Sequence, residues 1–370
     1  MKIAIVAAES LANRAELLSV ARELGRDHDV TLYSRRSSDA RPAARIGKGV
    51  TVRYLEVGPA RELTSEELTP YLAELGDSLR RQWTADRPDV VHAHAWTCGL
   101  AAIAGSSGLG LPVAQTFLHG RGGDAARQLK LQRALGRRAN AVVARSEEER
   151  SSLVRSGVPR ERIEVVPYGV EVDRFRRRPV AEARQSRGRL LHVGSLAPDR
   201  GAHTALNALR AVPDVELVVA GGPAPDRLAD DPELTELRRM AQRYGVADRV
   251  TFLGQVPHAS MPKLMRGSDI VLSLPHQAPK GRVALEAMAC GIPVIATAVG
   301  THLDSVVDGV TGLLVAPDRP AEAAWLIRRL LADPTRRAAM GFAGTDRANA
   351  RYAWDRVSRE LVRVYEKAAA

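Results

Sequence analysis

What most narrows the folds open to this chain is a twice-repeated alternation of short β-branched runs with helical stretches. The first series reads IAIVAA, a helix through Leu17 to Leu24, DVTLYS, VTVRYLEV, a helix near Leu68 to Trp83, DVVHAH, PVAQTF, AVVARS and IEVVPY. Strands that alternate with helices in this way predict a parallel, doubly wound sheet, because consecutive parallel strands need a helical crossover. The pattern pauses between Val172 and Gly188, where VDRFRRRPVAEARQSRG is polar and arginine-rich and serves as a linker. It resumes with RLLHVGS, a helix from Ala202 to Leu209, VELVVAGG, a helix around Leu234 to Tyr244 and VTFLG. A short helix near Met261 to Met265, DIVLSLP, VALEAMAC, PVIAT, GLLVAP and a helix through Trp325 to Leu331 complete the second series. A chain of 370 residues at roughly 150 residues per domain accommodates two such units. The expected division is 1–172 and 173–349. The terminal stretch 350–370 forms a helix whose stripe of Trp354, Val357, Leu361 and Tyr365 must dock, and the first domain is its expected partner. Two doubly wound sheets with strand ends facing across a cleft place the ligand in that cleft, at the switch points where strand order reverses.

Other classes are set aside on composition. Apolar residues make up 45% and charged residues 26%, as in folded soluble proteins. Cys98 and Cys290 lie far apart in apolar segments and outside any CxxC or Cys/His cluster, so neither a disulfide framework nor a zinc site is expected. MKIAIVAAES reads as a first strand rather than a signal peptide, and no run approaches the roughly 18 apolar residues of a membrane span. A cytoplasmic location is the resulting expectation. The net charge of +11 comes mostly from scattered arginines, with Arg176, Arg177 and Arg178 the one conspicuous run. Without an aromatic stacking platform or zinc-finger spacing beside it, nucleic-acid binding is not expected. Weak peripheral attraction to anionic lipid headgroups, or to an acidic acceptor, fits the charge better.

Two segments carry candidate chemistry. In HVGSLAPDRG a strand ends at Val193, turns through Gly194 and Ser195 and opens a helix after Gly201, which aims backbone N–H groups at an anion. Arg200 in that turn suits a bidentate phosphate contact; the alternative is a solvent-facing arginine on an ordinary turn. In GRVALEAMACGIPVIAT, Gly281 precedes a short helix, Glu286 lies about one turn inside it, and Gly291 stops it. A carboxylate flanked by Leu285, Ala287 and Met288 needs partners, and vicinal ribose hydroxyls would satisfy both its oxygens. The alternative is a helix-surface salt bridge. Gly222, in a turn after VELVVAG, is a third backbone candidate, and no glycine lies between Met1 and Leu24, which argues against a GxGxxG dehydrogenase turn.

The motifs HVGSLAPDRG, VVAGGP, RVTFLGQV, VALEAMACGIPVIAT and DGVTGLLV, together with DVVHAHAW, QTF and IEVVPYGVEVDRF in the first half, resemble glycosyltransferase family 4 over nearly the whole chain. That resemblance implies the GT-B fold and transfer of a sugar from a nucleotide diphosphate donor, with retention of anomeric configuration and without an essential metal or other cofactor. It implies that Glu286 holds the donor ribose, that Arg200 stands where the family has a phosphate-binding lysine, and that the Gln255–Val256 backbone reads the base. His94 matches the family's HxHxW position, either as a substrate contact or as a strand cap. Gly194, Ser195, Gly222, Lys280, Gly281, Arg282 and Leu285 complete the donor set, with Lys280 and Arg282 near the diphosphate and His94, Arg200 and Lys280 assigned to catalysis. The acceptor is expected to be small or lipid-linked and polar.

The chain also departs from the pattern. Ser195 stands at a common arginine position, Ala278 at that of a sugar-contacting glutamate, Gly300–Thr301 at a double glycine, and His119 one residue late. The glycine-rich loop after the first strand is missing. These departures motivate a second reading, a non-catalytic GT-B protein that partners an active glycosyltransferase.

Overall fold

The computed structural model describes residues 1–8, 15–37, 43–117, 125–178, 188–277 and 281–370. The chain forms two compact units, Met1–Pro167 with Trp354–Ala370, and Tyr168–Ala353.

The strands of the first unit are β1 (Lys2–Val6), β2 (Asp29–Arg35), β3 (Ala43–Gly47), β4 (Val50–Leu55), β5 (Val90–His94), β6 (Val113–Thr116), β7 (Ala141–Ala144) and β8 (Ile163–Val165). They form a sheet in the order β3-β4-β2-β1-β5-β6-β7-β8. Every pairing is parallel except β3 with β4. β1 is central, with Ile3 paired to Val30 on one side and Val90 on the other. Its unbroken apolar run follows from burial on both faces, the usual state of a parallel strand between helices. One of those covering elements is the C-terminal helix Trp354–Ala369, whose Val357, Leu361, Val364 and Tyr365 pack with Ile3, Ile5 and Val143.

The second unit holds β9 (Gly188–Val193), β10 (Val215–Ala220), β11 (Val250–Gly254), β12 (Ile270–Ser273), β13 (Val294–Thr297) and β14 (Gly312–Val315). The order is β11-β10-β9-β12-β13-β14, parallel throughout. One core lies beneath the helices Ala202–Leu209 and Pro320–Ala332, the other beneath Arg282–Ala289 and residues 348–352. From β9 the chain winds outward to β10 and β11; from β12 it winds the other way, so β9 and β12 flank the switch point of this sheet. In the first unit β1 and β5 flank the equivalent point.

Candidate active site

In the second unit the turns that follow β9, β10, β11 and β12 all emerge at the carboxyl edge of the sheet. The ladder continues one step past the strands there: Gly194 N–H donates to the Ala220 carbonyl at 2.9 Å and Gly221 N–H to that of Gly254 at 2.8 Å, so three glycines lie abreast as a side-chain-free floor. Beyond β9, Pro198–Arg200 makes a single 3-10 turn, and the His276 N–H donates to the Asp199 carbonyl at 2.9 Å. That bond ties the Arg200 turn to the segment running from β12 toward Gly281.

Glycine is required at the entries to two helices. Gly201 (φ 97°) precedes Ala202–Leu209, and a Cβ there would overlap the backbone of Leu274. Gly281 (φ 71°) precedes Arg282–Ala289, and a Cβ there would overlap the Thr301 hydroxyl. Both conformations lie in the left-handed region that side chains disfavour. Neither helix start carries a side-chain cap. Their first-turn amides, at the positive ends of the helix dipoles, are therefore suited to anions.

Glu286 is buried, its side chain 8% exposed, on the Arg282–Ala289 helix. His258 Nε2 lies 3.0 Å from its Oε1, and Arg282 Nη2 lies 3.2 Å from the same oxygen. Among the described residues no hydrogen bond reaches Oε2. On its far side His258 presents Nδ1 to Arg174 Nη1 at 3.0 Å, and its ring lies 5.2 Å from that of Phe175. A guanidinium only donates, so Nδ1 accepts from Arg174 and the ring N–H at Nε2 donates to Glu286; Arg282 Nη2, 3.2 Å from both Nε2 and Oε1, gives its own proton to the carboxylate. The alternative of a helix-surface salt bridge half describes the arrangement: Arg282 does pair with Glu286, but the carboxylate is turned inward.

Several expected donor residues have contacts of their own within the protein. Leu285 is a core residue, 2% exposed and packed among Leu191, Val271 and Met288, because its position on the helix faces the sheet. Arg282 is directed at Glu286 and His258 through its (i, i+4) spacing, the ribose end of the expected site rather than the diphosphate end. The Gln255 N–H donates to the Pro223 carbonyl at 2.9 Å, so that amide is engaged inside the protein. Val256 packs against the apolar cluster that contains Leu285. Ser195 is exposed and its hydroxyl accepts from the Ala197 N–H at 3.4 Å. Gly222, at the turn tip, would clash with Leu196 if it carried a Cβ. Arg200 is one-third exposed, with Asp199 at 3.5 Å. Lys280, Ala278 and His119 lie outside the described residues.

In the first unit His94 ends β5, 4% exposed, with its ring 4.2 Å from that of His92. His92 is fully buried between the Tyr365 hydroxyl (2.7 Å from Nδ1) and the Thr116 hydroxyl (2.8 Å from Nε2). Burial pushes its pKa down to about 3, so this ring is neutral at ordinary pH. Directly after His94, Ala95 has φ 79° and ψ 160°, a conformation otherwise left to glycine. It is held by its own N–H donating to Thr116 O at 3.0 Å and by Gln115 Nε2 donating to its carbonyl at 3.0 Å. Sequence reasoning missed His92, Ala95, Arg174 and His258. The signal for His258 was its place four residues after the end of a parallel strand, on the same edge as Glu286.

Residues 173–347 match the family described as glycosyl transferases group 1, and residues 14–169 match the glycosyl transferase 4-like domain. A D-inositol 3-phosphate glycosyltransferase of Frankia alni is 31% identical, the match covering 92% of this chain and 90% of the relative. One from Acidothermus cellulolyticus is 32% identical over 95% and 84%. The chain belongs to the group 1, family 4-like glycosyltransferases. It is accordingly an enzyme, a glycosyltransferase. The fold is GT-B: sucrose-phosphate synthase from Thermosynechococcus elongatus superposes with a TM-score of 0.85 at 22% identity, covering 99% of this chain and 98% of that one. The Anabaena protein HepE, solved in complex with UDP-glucose, gives 0.77 at 22% identity with 98% of each chain covered. This glycosyltransferase contains no helix, among the described residues, long and apolar enough to cross a membrane.

Proposed function

We propose that this glycosyltransferase transfers a hexose from a nucleoside diphosphate donor to a polar acceptor, with retention of anomeric configuration. The observation that carries the reading is the inward-turned Glu286, one oxygen occupied by the protein and the other left for a ligand. Oε2 is not sealed in the core, so a ligand can reach it, and a ribose diol supplies the donors that a carboxylate oxygen accepts. In this reading Arg200 and the uncapped starts of the Ala202–Leu209 and Arg282–Ala289 helices receive the diphosphate, and Lys280, which precedes Gly281 in the sequence, is proposed to add a further positive charge. Those groups stabilise negative charge as the diphosphate departs, the contribution that usually dominates such catalysis. The departing phosphate then takes the acceptor's proton, which accounts for retention without an enzymic nucleophile. His94 belongs to the acceptor side. Because the relatives named above are called D-inositol 3-phosphate glycosyltransferases, a phosphorylated cyclitol is the first acceptor to try.

The test is turnover by the purified protein. UDP- and GDP-glucose and their N-acetylglucosamine counterparts are each incubated with inositol phosphates, and released nucleoside diphosphate and product anomers are followed by NMR. An α-linked product from an α-linked donor is expected. An inverted product refutes the retaining mechanism, and absence of both transfer and donor hydrolysis across the panel refutes the catalytic reading.

A further inference from the structure

His258 lies outside the motifs quoted from the sequence above, yet among the described residues it makes the shortest side-chain contact to Glu286. It stands in the turn after β11, four residues beyond Gly254 and 28 residues before Glu286. Four groups surround its ring: the Glu286 carboxylate and the Arg282 guanidinium at Nε2, the Arg174 guanidinium at Nδ1, and the Phe175 ring. Phe175 is 1% exposed in the core, and its ring meets the imidazole at a tilt of 51°, so the histidine has a fixed apolar neighbour on that side. Arg174 is in turn paired with Glu171 at 2.9 Å, which fixes the group that sets the tautomer of His258.

The consequences fall on Glu286. A carboxylate on a helix rotates about its last side-chain torsion with a broad, roughly two-fold preference. Two donors converging on Oε1 from different directions, Nε2–H of His258 and Nη2–H of Arg282, remove that freedom and assign Oε2 to the open side. We infer that His258 is a positioning residue for the donor nucleoside: it holds one oxygen of Glu286 so that the other meets the ribose diol. The inference rests on Glu286 being the ribose contact. It adds a residue that touches the carboxylate rather than the reacting atoms, and it assigns Arg174 the task of keeping the imidazole proton on the carboxylate side.

A double-mutant cycle separates the two claims. Isothermal titration of the full-length protein is carried out with UDP and GDP, the tighter being kept, and with its 2′,3′-dideoxy analogue, for wild type, His258→Ala, Glu286→Ala and the double variant. His258→Ala is expected to weaken the ribose ligand about tenfold, the fold-change equal to about 1.4 kcal/mol for one charge-assisted hydrogen bond. It should leave the dideoxy ligand unchanged and add nothing in the Glu286→Ala background. His258→Gln, whose amide N–H can still donate to Oε1, should recover most of the loss, which a general packing defect would not allow. Unchanged ribose-ligand binding in His258→Ala overturns the inference, as does an equal loss for both ligands or a loss that adds to that of Glu286→Ala. Wild-type binding in Glu286→Ala overturns instead the ribose reading beneath it. Should the alanine variant lose its fold, His258→Phe keeps the contact with Phe175 while lacking the donor, and carries the same expectations.

Discussion

Lowering the pH from 7 to 5 will destabilise both units, and the second about twice as much as the first. The cause is three buried histidines that stay neutral in the native state. Burial pushes His92 in the first unit down to about 3, and His192 and His302 in the second down to about 4, from an ordinary value of 6.5. All three are at most 1% exposed. In the unfolded chain each takes up a proton as the pH falls through 6.5, whereas the folded rings do not until 4 or below. Stability contributed by keeping these groups neutral is therefore present at pH 7 and is lost as the pH falls through the unfolded value. Each histidine loses about 2 kcal/mol between pH 7 and 5, giving about 2 kcal/mol for the first unit and about 4 kcal/mol for the second. Against a typical domain stability of about 5–15 kcal/mol that is a large fraction. This window lies above the ordinary carboxylate range, so the histidines dominate it. Urea unfolding at pH 7, 6 and 5 measures the effect, with tryptophan fluorescence weighted to the first unit through Trp83, Trp96 and Trp354, and circular dichroism reporting both. His192→Leu should remove about half of the pH dependence of the second unit. A flat unfolding free energy across this window, or a slope untouched by that substitution, would refute the reasoning.

Tyr365→Phe removes the hydroxyl that meets His92 Nδ1 at 2.7 Å and leaves a buried ring nitrogen unpaired. It should cost about 1–3 kcal/mol in chemical denaturation, through loosening of the C-terminal helix on the first unit. Gly281→Ala places a side chain at φ 71° against Thr301, and should cost more than the about 1–2 kcal/mol of the left-handed conformation alone. Nucleotide affinity, read by titration, should fall with it because the helix carrying Glu286 begins there. Ala95→Gly relieves a strain of about 1–3 kcal/mol, offset by about 0.5–1 kcal/mol of added unfolded-chain entropy, so the melting temperature should rise by a few degrees. A fall would place Ala95 among unstrained residues.

The two-sheet architecture was legible because parallel strands buried on both faces must be apolar throughout, and runs such as IAIVAA and VELVVA announce themselves. The edge strand β3 was not, because AARIG is half exposed and antiparallel, and carries neither an apolar run nor a clean alternation. Helix Pro334–Arg347 escaped for a related reason: it packs through Met340, Gly341 and Gly344, and small residues leave almost no periodic signal. The chain passes between units at Tyr168, ahead of the arginine-rich run, because Tyr168, Val170 and Phe175 are apolar and pack in the second core. At the site, Glu286 could be read because an acidic residue inside an apolar helix is conspicuous on its own. His258 and Arg174 could not be read in that way, since their meaning comes from partners 28 and 84 residues distant. Leu285, one step along the helix from Glu286 and so turned by about 100°, directs its side chain into the core.

The most direct test is a crystal structure of this glycosyltransferase with the nucleoside diphosphate it binds most tightly. The ribose hydroxyls should lie within about 2.6–3.2 Å of Glu286 Oε2, with Oε1 still held by His258 and the diphosphate at the starts of the Ala202–Leu209 and Arg282–Ala289 helices. A nucleotide seated elsewhere, or a ribose turned away from Glu286, would contradict the account.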